Sequence, residues 1–278
     1  MRASLLEFNI NGIYCPQADI YIDAWKPVDR VIISHGHADH SKYGHKKYLT
    51  HHYNVPIVKH RLGKVNIEGK SWGEKFSING VHFSLHPAGH VIGSSQVKIE
   101  YKGEVWVYSG DYKRENDGIS TPFELVKCHT FITECTFGIP AFSWKMQNEV
   151  IKEINQFWNE CKLLNQTAII FAYSLGKAQR LIANLNLDIG KIYTHAAIEN
   201  LNEVIRTYKN LPETYKITRE TKKEQLLGNL VIAPPSTHGS SWLKKMVPYV
   251  TSSASGWMTF RGARRRRNID RGFVLSDH

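Results

Sequence analysis

The chain has 278 residues, 42% hydrophobic and 22% charged, a globular composition long enough for one large packed unit or two and poorly suited to disorder. Lys and Arg number 36 against 25 acids, a formal charge of +11 that favours polyanionic partners and that neutral small-molecule chemistry does not require. No stretch approaches the roughly 18 apolar residues that span a bilayer, and the opening MRASLLEFNI lacks a basic-then-apolar export signal, so a cytoplasmic protein with no membrane partner is expected.

Residues 1–135 read as short strands at 19–22, 31–34, 81–85, 96–101, 105–109 and 131–133, with few helical periods between them. The pattern then changes. Val150, Ile151, Ile154, Phe157, Trp158 and Cys161 form one stripe of a helix over 147–164. A strand at 167–172, a helix at 176–185, a strand at 191–193, a helix at 198–208 and strands at 230–233 and 249–251 follow. This alternation predicts a mainly parallel sheet with ligands gathered past the carboxyl ends of its strands, where Glu134, Ser174, His195, Ser236 and Ser252 stand. The four cysteines form no CxxC pair and fit reduced thiols. Charge is concentrated late: Lys244, Lys245, Arg261, Arg264, Arg265, Arg266, Arg267 and Arg271 face a single acid, Asp270, between 241 and 271.

The apolar run Val31-Ile32-Ile33 leads directly into Ser34-His35-Gly36-His37-Ala38-Asp39-His40. Imidazoles two residues apart on an extended turn can grip one cation, and Asp39 with His40, where the chain turns, are offset enough to grip a second. This spacing resembles the signature of the metallo-β-lactamase fold, an αββα sandwich that binds one or two metals at its sheet edges. The resemblance implies that His35, His37 and His90 hold one metal, Asp39 and His40 the other, with Asp111 between them and Asp23 orienting the histidine loop. His90 lies in PAGHVIGS and Asp111 in YSGD. Two divalent ions, zinc or manganese, would hold a hydroxide nucleophile for phosphoryl or acyl transfer.

The second half resembles the β-CASP insertion of nucleic-acid-processing members of that family, in TECTFG around Glu134 and in FAYSLGKAQR. Ser174 can cap the following helix, while its free N–H groups, Lys177 and Arg180 attract a phosphate. Trp257 beside Arg261, Arg264, Arg265, Arg266 and Arg267 suits a groove that tracks a nucleic-acid backbone, although four consecutive arginines cannot all face one way. His278, in FVLSDH, resembles the β-CASP histidine at the return into the lactamase domain, where it would assist the leaving oxygen with Glu134 orienting it. The implied organisation is a first metallo-β-lactamase segment at 1–137, a parallel α/β cap at 138–271 and the start of the return at 272–278. Because family members continue to a further histidine ligand, a C-terminally incomplete sandwich with a weakened second site and little activity is expected.

Across nearly its whole length the chain resembles the bacterial ligase-associated DNA exonucleases, which implies hydrolysis of DNA, single-stranded or at duplex ends, beside a ligase and a helicase of one repair pathway. The rivals are an RNA-processing β-CASP nuclease, a small-ester hydrolase, which the basic segment disfavours, and a non-catalytic nucleic-acid binder.

Overall fold

Side-chain alternation decides how the first strands stack. Val31 and Ile33 pack with Ala24, Tyr48 and Val58, whereas Ile32 between them packs with Ile22, Leu49, Phe83 and Val97. Successive residues of a strand point to opposite faces, so one apolar run serves two layers. The molecule, a computed structural model, is described at residues 4–260, 262, 265 and 268–278. It divides into two units, Met1–Thr136 with His278, and Phe137–Asp277.

The first unit holds two sheets. One contains, in spatial order, β1 (Glu7–Asn9), β2 (Gly12–Cys15), β3 (Ile20–Ile22), β4 (Arg30–Ile32), β5 (Lys47–His51) and β6 (Ile67–Lys70). It is antiparallel through β3 and parallel from there on. The other comprises β7 (Phe76–Ile78), β8 (Val81–Pro87), β9 (Ser95–Tyr101), β10 (Glu104–Tyr108) and β11 (Thr130–Ile132), antiparallel except for the parallel pair β10–β11. Ile13, Cys15, Ile20 and Ile32 from the first sheet meet Val81, Phe83, Leu85, Val97 and Ile99 from the second in one core. Helix α1 (Asn54–Leu62) covers the far side of the first sheet, where Val58 joins Val31 and Tyr48, and is the only α-helix among the described residues of this unit.

The second unit is the parallel α/β body that the alternation predicts. Its strands β12 (Thr167–Phe171), β13 (Ile192–Thr194), β14 (Tyr215–Lys216), β15 (Leu230–Ala233), β16 (Tyr249–Ala254) and β17 (Arg271–Phe273) lie in the order β14-β13-β15-β12-β16-β17, every pair parallel. Central β12 is buried at all five positions, as a strand covered on both faces must be. Helix α2 (Gln147–Leu163) packs against β12 and β17, burying the stripe from Val150 to Cys161. Helices α3 (Lys177–Asn184) and α4 (Ala196–Arg206) complete the alternation.

Two expectations change here. The sequence hands 272–278 back to the first domain, but β17 extends the second sheet by pairing with β16, so 272–277 stay with the second unit and only His278 groups with the first. The expected serine cap at Ser174 is also replaced. Gly176, at φ +91°, is the N-cap of α3, and its N–H donates to Gln179 Oε1 at 2.8 Å.

Candidate metal centre

The site grows from the strand ends of the first unit. Asp23, just past β3, adopts a left-handed φ of +46°, and its carboxylate accepts from the Ser34 N–H at 2.7 Å and the Ser34 hydroxyl at 2.5 Å. It also accepts from His40 Nδ1 at 2.7 Å and from the Tyr108 hydroxyl at 3.2 Å. One buried carboxylate thereby pins the histidine loop to β10.

The proton inventory follows. Ser34 Oγ donates its single hydrogen to Asp23, so at 3.0 Å from His35 Nδ1 it acts as acceptor and that nitrogen carries the proton. His35 Nε2 is then the lone-pair nitrogen, and it faces His37 Nδ1 at 3.0 Å and Asp111 Oδ2 at 3.6 Å. In the same way Asp23 takes the proton of His40 Nδ1 and leaves Nε2 directed toward Asp111 Oδ1 at 3.5 Å. His90 Nε2 stands 3.1 Å from His37 Nδ1 and 3.4 Å from Asp111 Oδ2.

Two glycines make these approaches possible. A Cβ at Gly89, φ +74°, would meet the Lys113 carbonyl oxygen at 2.2 Å, and one at Gly110, φ +54°, would meet Ser34 at 2.8 Å. Each precedes a site residue, His90 and Asp111, and each lets a turn close where a side chain would force it open.

Ligand atoms of His35, His37, His90 and Asp111 all lie within 4.8 Å of one another, and those of His40, Asp111 and Glu134 form a second such group that shares Asp111. A tetrahedral ion with bonds of about 2.0–2.1 Å places its ligand atoms roughly 3.3 Å apart. Four separations in the first group, 3.0–3.6 Å, match that edge length, so the residues fit a divalent cation. A proton on His37 Nδ1 could serve one imidazole neighbour only, whereas a cation serves all four ligands.

The electrostatics of His35 agree with that fit, whereas those of His40 and Asp111 favour the protonated forms. Burial, reinforced by His40, His37, His90 and His278, holds His35 well below the usual imidazole range, in the neutral form that ligates metals. Burial also works against protonated His40, but Asp23, Asp111 and Glu134 outweigh it and push it up to about 10. Asp111 is pushed up to about 8 by burial, with His40 opposing and Glu134 and Asp39 adding to the rise. Tyr108 is raised by burial and by the carboxylates of Asp23 and Glu134.

Other expected residues fall differently. Asp39 lies outside both groups: the turn closed by the His40 and Ser41 N–H groups on the His37 carbonyl faces it outward, three-quarters exposed, with Oδ2 3.8 Å from His40 Nε2. Glu134, expected beside His278, instead accepts from the Tyr108 hydroxyl at 2.9 Å and stands 3.8 Å from His40 Nε2, because parallel pairing of β10 and β11 ends both strands at one edge. His278 Nε2 is 3.9 Å from Asp111 Oδ2, and its ring centroid is 4.7 Å from that of His90. Arg61 has no sequence signal, yet its guanidinium donates to the Gly36 carbonyl at 2.6 Å and to Ser41 Oγ, bracing the histidine loop from α1.

In the second unit, Lys177 and Arg180 do not face outward to meet a phosphate. Both are buried, and they bind the 275–277 segment: Lys177 Nζ donates to the Leu275 carbonyl at 2.5 Å and pairs with Asp277 at 3.1 Å, and Arg180 donates to the Ser276 carbonyl and to Gln147 at 2.5 Å. A buried cation must find local anions and carbonyls, and these two find them in their own unit. Ser174 is half-buried, and its carbonyl accepts from Gln179 at 2.9 Å. Arg265 is exposed, while Arg261, Arg264, Arg266 and Arg267 lie outside the described residues.

Two face-to-face sheets with imidazoles and a carboxylate converging at one edge define a metal-binding sandwich. The chain belongs to the metallo-beta-lactamase superfamily, whose model matches residues 23–196. A protein named a probable DNA ligase from Opitutus terrae is 29% identical over 272 residues, 96% of this chain and 26% of that protein. An RNase J-like protein from Methanocaldococcus jannaschii is 26% identical over 66% of this chain and 51% of its own length, and cleavage and polyadenylation specificity factor subunit 3 from Dictyostelium discoideum is 30% identical over 52% and 20%. The chain thus spans between a fifth and about half of these relatives. A crystal structure of a protein of unknown function from Enterococcus faecalis V583 shares the fold, with a TM-score of 0.58 at 12% identity over 89% of this chain and 69% of that one. No helix among the described residues is long and apolar enough to cross a membrane.

Proposed function

We propose that the chain is a metal-dependent phosphodiesterase that degrades DNA from an end, a cytoplasmic nuclease of DNA repair using two divalent ions, zinc or manganese. The observation that carries this reading is the double use of Asp111, which belongs at once to the His35–His37–His90 group and to the His40–Glu134 group. Divalent ions in such a pair supply Lewis acidity for the phosphoryl oxygens and lower the pKa of a bound water. His35, His37 and His90 would hold one ion and His40, with Asp39, the other, while Asp111 is common to both groups. Asp23, Ser34 and Tyr108 keep these ligands in the required tautomers and orientations. His278, a quarter exposed and 3.9 Å from Asp111, would deliver a proton to the leaving oxygen, and Glu134 would hold His40 and Tyr108 in register.

DNA is favoured as substrate because the relative matched over nearly all of this chain is named a probable DNA ligase, which also makes a ligase the expected functional partner. The second unit then acts as a β-CASP-like cap, and the basic residues after Phe260 hold the strand. RNA is the second reading, supported by relatives named RNase J-like protein and endoribonuclease over 66% and 45% of the chain. The test is end-labelled single-stranded DNA, duplex DNA, RNA and a nitrophenyl ester, each with zinc or manganese. Stepwise shortening of DNA that vanishes in Asp39→Ala and His35→Ala is expected. Ester turnover without nuclease activity, or shortening of RNA alone, would overturn the assignment.

A further inference from the structure

Five aromatic rings gather in the second unit from two stretches distant in sequence. Phe137, Phe142 and Trp144 precede α2, while Trp257 and Phe260 follow β16. Phe142 is central, with centroids 4.7 Å from Phe137, 5.7 Å from Trp257, 5.2 Å from Phe260 and 5.8 Å from Trp144, to which it lies within 9° of parallel. Gly256 permits the assembly, since a Cβ there would come within 2.6 Å of Phe137 and 2.9 Å of Trp144. The cluster is built, yet it is not core: Trp144 and Trp257 are each 42% exposed and Phe260 38%, with Ile139 and Met146 more exposed still. Rings packed this closely while staying substantially exposed form an apolar patch, and such patches mark binding surfaces.

Charge selects the partner. Phe260 runs directly into the arginine-rich stretch 261–271, where Arg265 is exposed. A partner that satisfies both features carries flat apolar faces on a polyanionic backbone. Nucleic acid does so only when its bases are unpaired, because a duplex hides those faces. A second copy of a chain with a formal charge of +11 would meet like charge at the same place.

We infer that this patch is a stacking platform for an unpaired DNA strand, with bases lying on Trp144, Trp257 and Phe260 and Arg265 meeting the phosphates. The inference rests on the DNA reading above and deepens it, making the preferred substrate single-stranded. The test uses the whole chain in EDTA, so that binding is read without cleavage. Labelled oligo(dT) of about 15 nucleotides should bind at least ~10-fold tighter than a duplex of equal length, and Trp144→Ala and Trp257→Ala should each weaken it by about tenfold. Trp144→Phe and Trp257→Phe, which keep a ring, should retain most of the affinity. Bromodeoxyuridine photo-crosslinking of the unaltered protein should map to peptides containing Trp144 or Trp257, an outcome that depends on no variant. Crosslinks confined to other peptides, unchanged affinity in both alanine variants, no oligo(dT) binding, or ~10-fold preference for oligo(U) would overturn it. So would ring-dependent self-association or binding to anionic vesicles in place of oligonucleotide binding. The two readings fail separately: ring-dependent binding in EDTA with no cleavage in metal sinks the nuclease, and cleavage with ring-independent binding sinks the platform.

Discussion

Two buried carboxylates, one in each unit, show what separates a site from a scaffold. Glu199 on α4 accepts from Thr194 at 2.5 Å, Asn202 at 3.3 Å, Arg206 at 2.6 Å and also Thr214, and although burial acts to raise it, these donors hold it below the usual carboxylate range. Asp111 has imidazole nitrogens of His35, His40, His90 and His278 at 3.4–3.9 Å, and burial, with Glu134 and Asp39 adding to the rise, pushes it up to about 8. The first carboxylate is satisfied by its own unit. The second converges with imidazole nitrogens on a common point, which is the arrangement that a cation would complete. Polar residues past strand ends thus divide by where their partners are, inside the protein or in what it binds.

The largest break in this comparison comes from His35→Ala. Removing a ligand of the first group should lower hydrolysis by about a thousandfold or more and reduce bound metal, read by elemental analysis beside an oligonucleotide assay. Full metal content in that variant would end the assignment of the centre. Arg180→Met tests the opposite kind of cluster. It takes one of two cations from the buried Asp277 and should cost about 3 kcal/mol in urea unfolding. Unchanged stability with weakened oligonucleotide binding would instead restore Arg180 as a phosphate contact. Asp23→Asn, which disturbs the Ser34 hydroxyl donation and the tautomers of His35 and His40 together, should weaken metal binding by about 10–100-fold in competition with a chromophoric chelator. A change below about twofold would make Asp23 a fold residue only.

How much of this was legible in the sequence follows the same division. His35, His37 and His40 are readable because the ligands fall within six residues at the end of an apolar strand, and the second-unit elements because each has a full helical stripe or a continuous apolar run. Strands β1, β2, β5, β6 and β7 run three to five residues without distinct alternation and escape notice. Arg61 escapes because one arginine some twenty residues past the histidines forms no pattern, and its role exists only once α1 is laid across the sheet. The partner of Glu134 depends on the register of β10 and β11, and the burial of Lys177 and Arg180 on a helix covered by its own C-terminal segment. Each of these is a long-range pairing, invisible to local periodicity.

The finest distinction is in pH. Because Glu199 is held below the ordinary carboxylate range in the folded protein, the unfolded chain binds its proton more readily. Glu199 therefore contributes stability above the unfolded value of about 4.3, and that contribution is lost as pH falls through the folded one. Glu199→Gln replaces an acceptor of several donors by an amide that brings two donors of its own, so Thr194, Thr214 and Arg206 lose part of their partner. At pH 7 the variant should be less stable by about 1–2 kcal/mol, and by about pH 3 the gap to the parent should narrow as the parent's carboxylate protonates. Urea midpoints at the two pH values measure it. A gap that persists unchanged in acid would mean that the network is held by shape and not by charge, and the contrast with Asp111 would then rest on geometry alone.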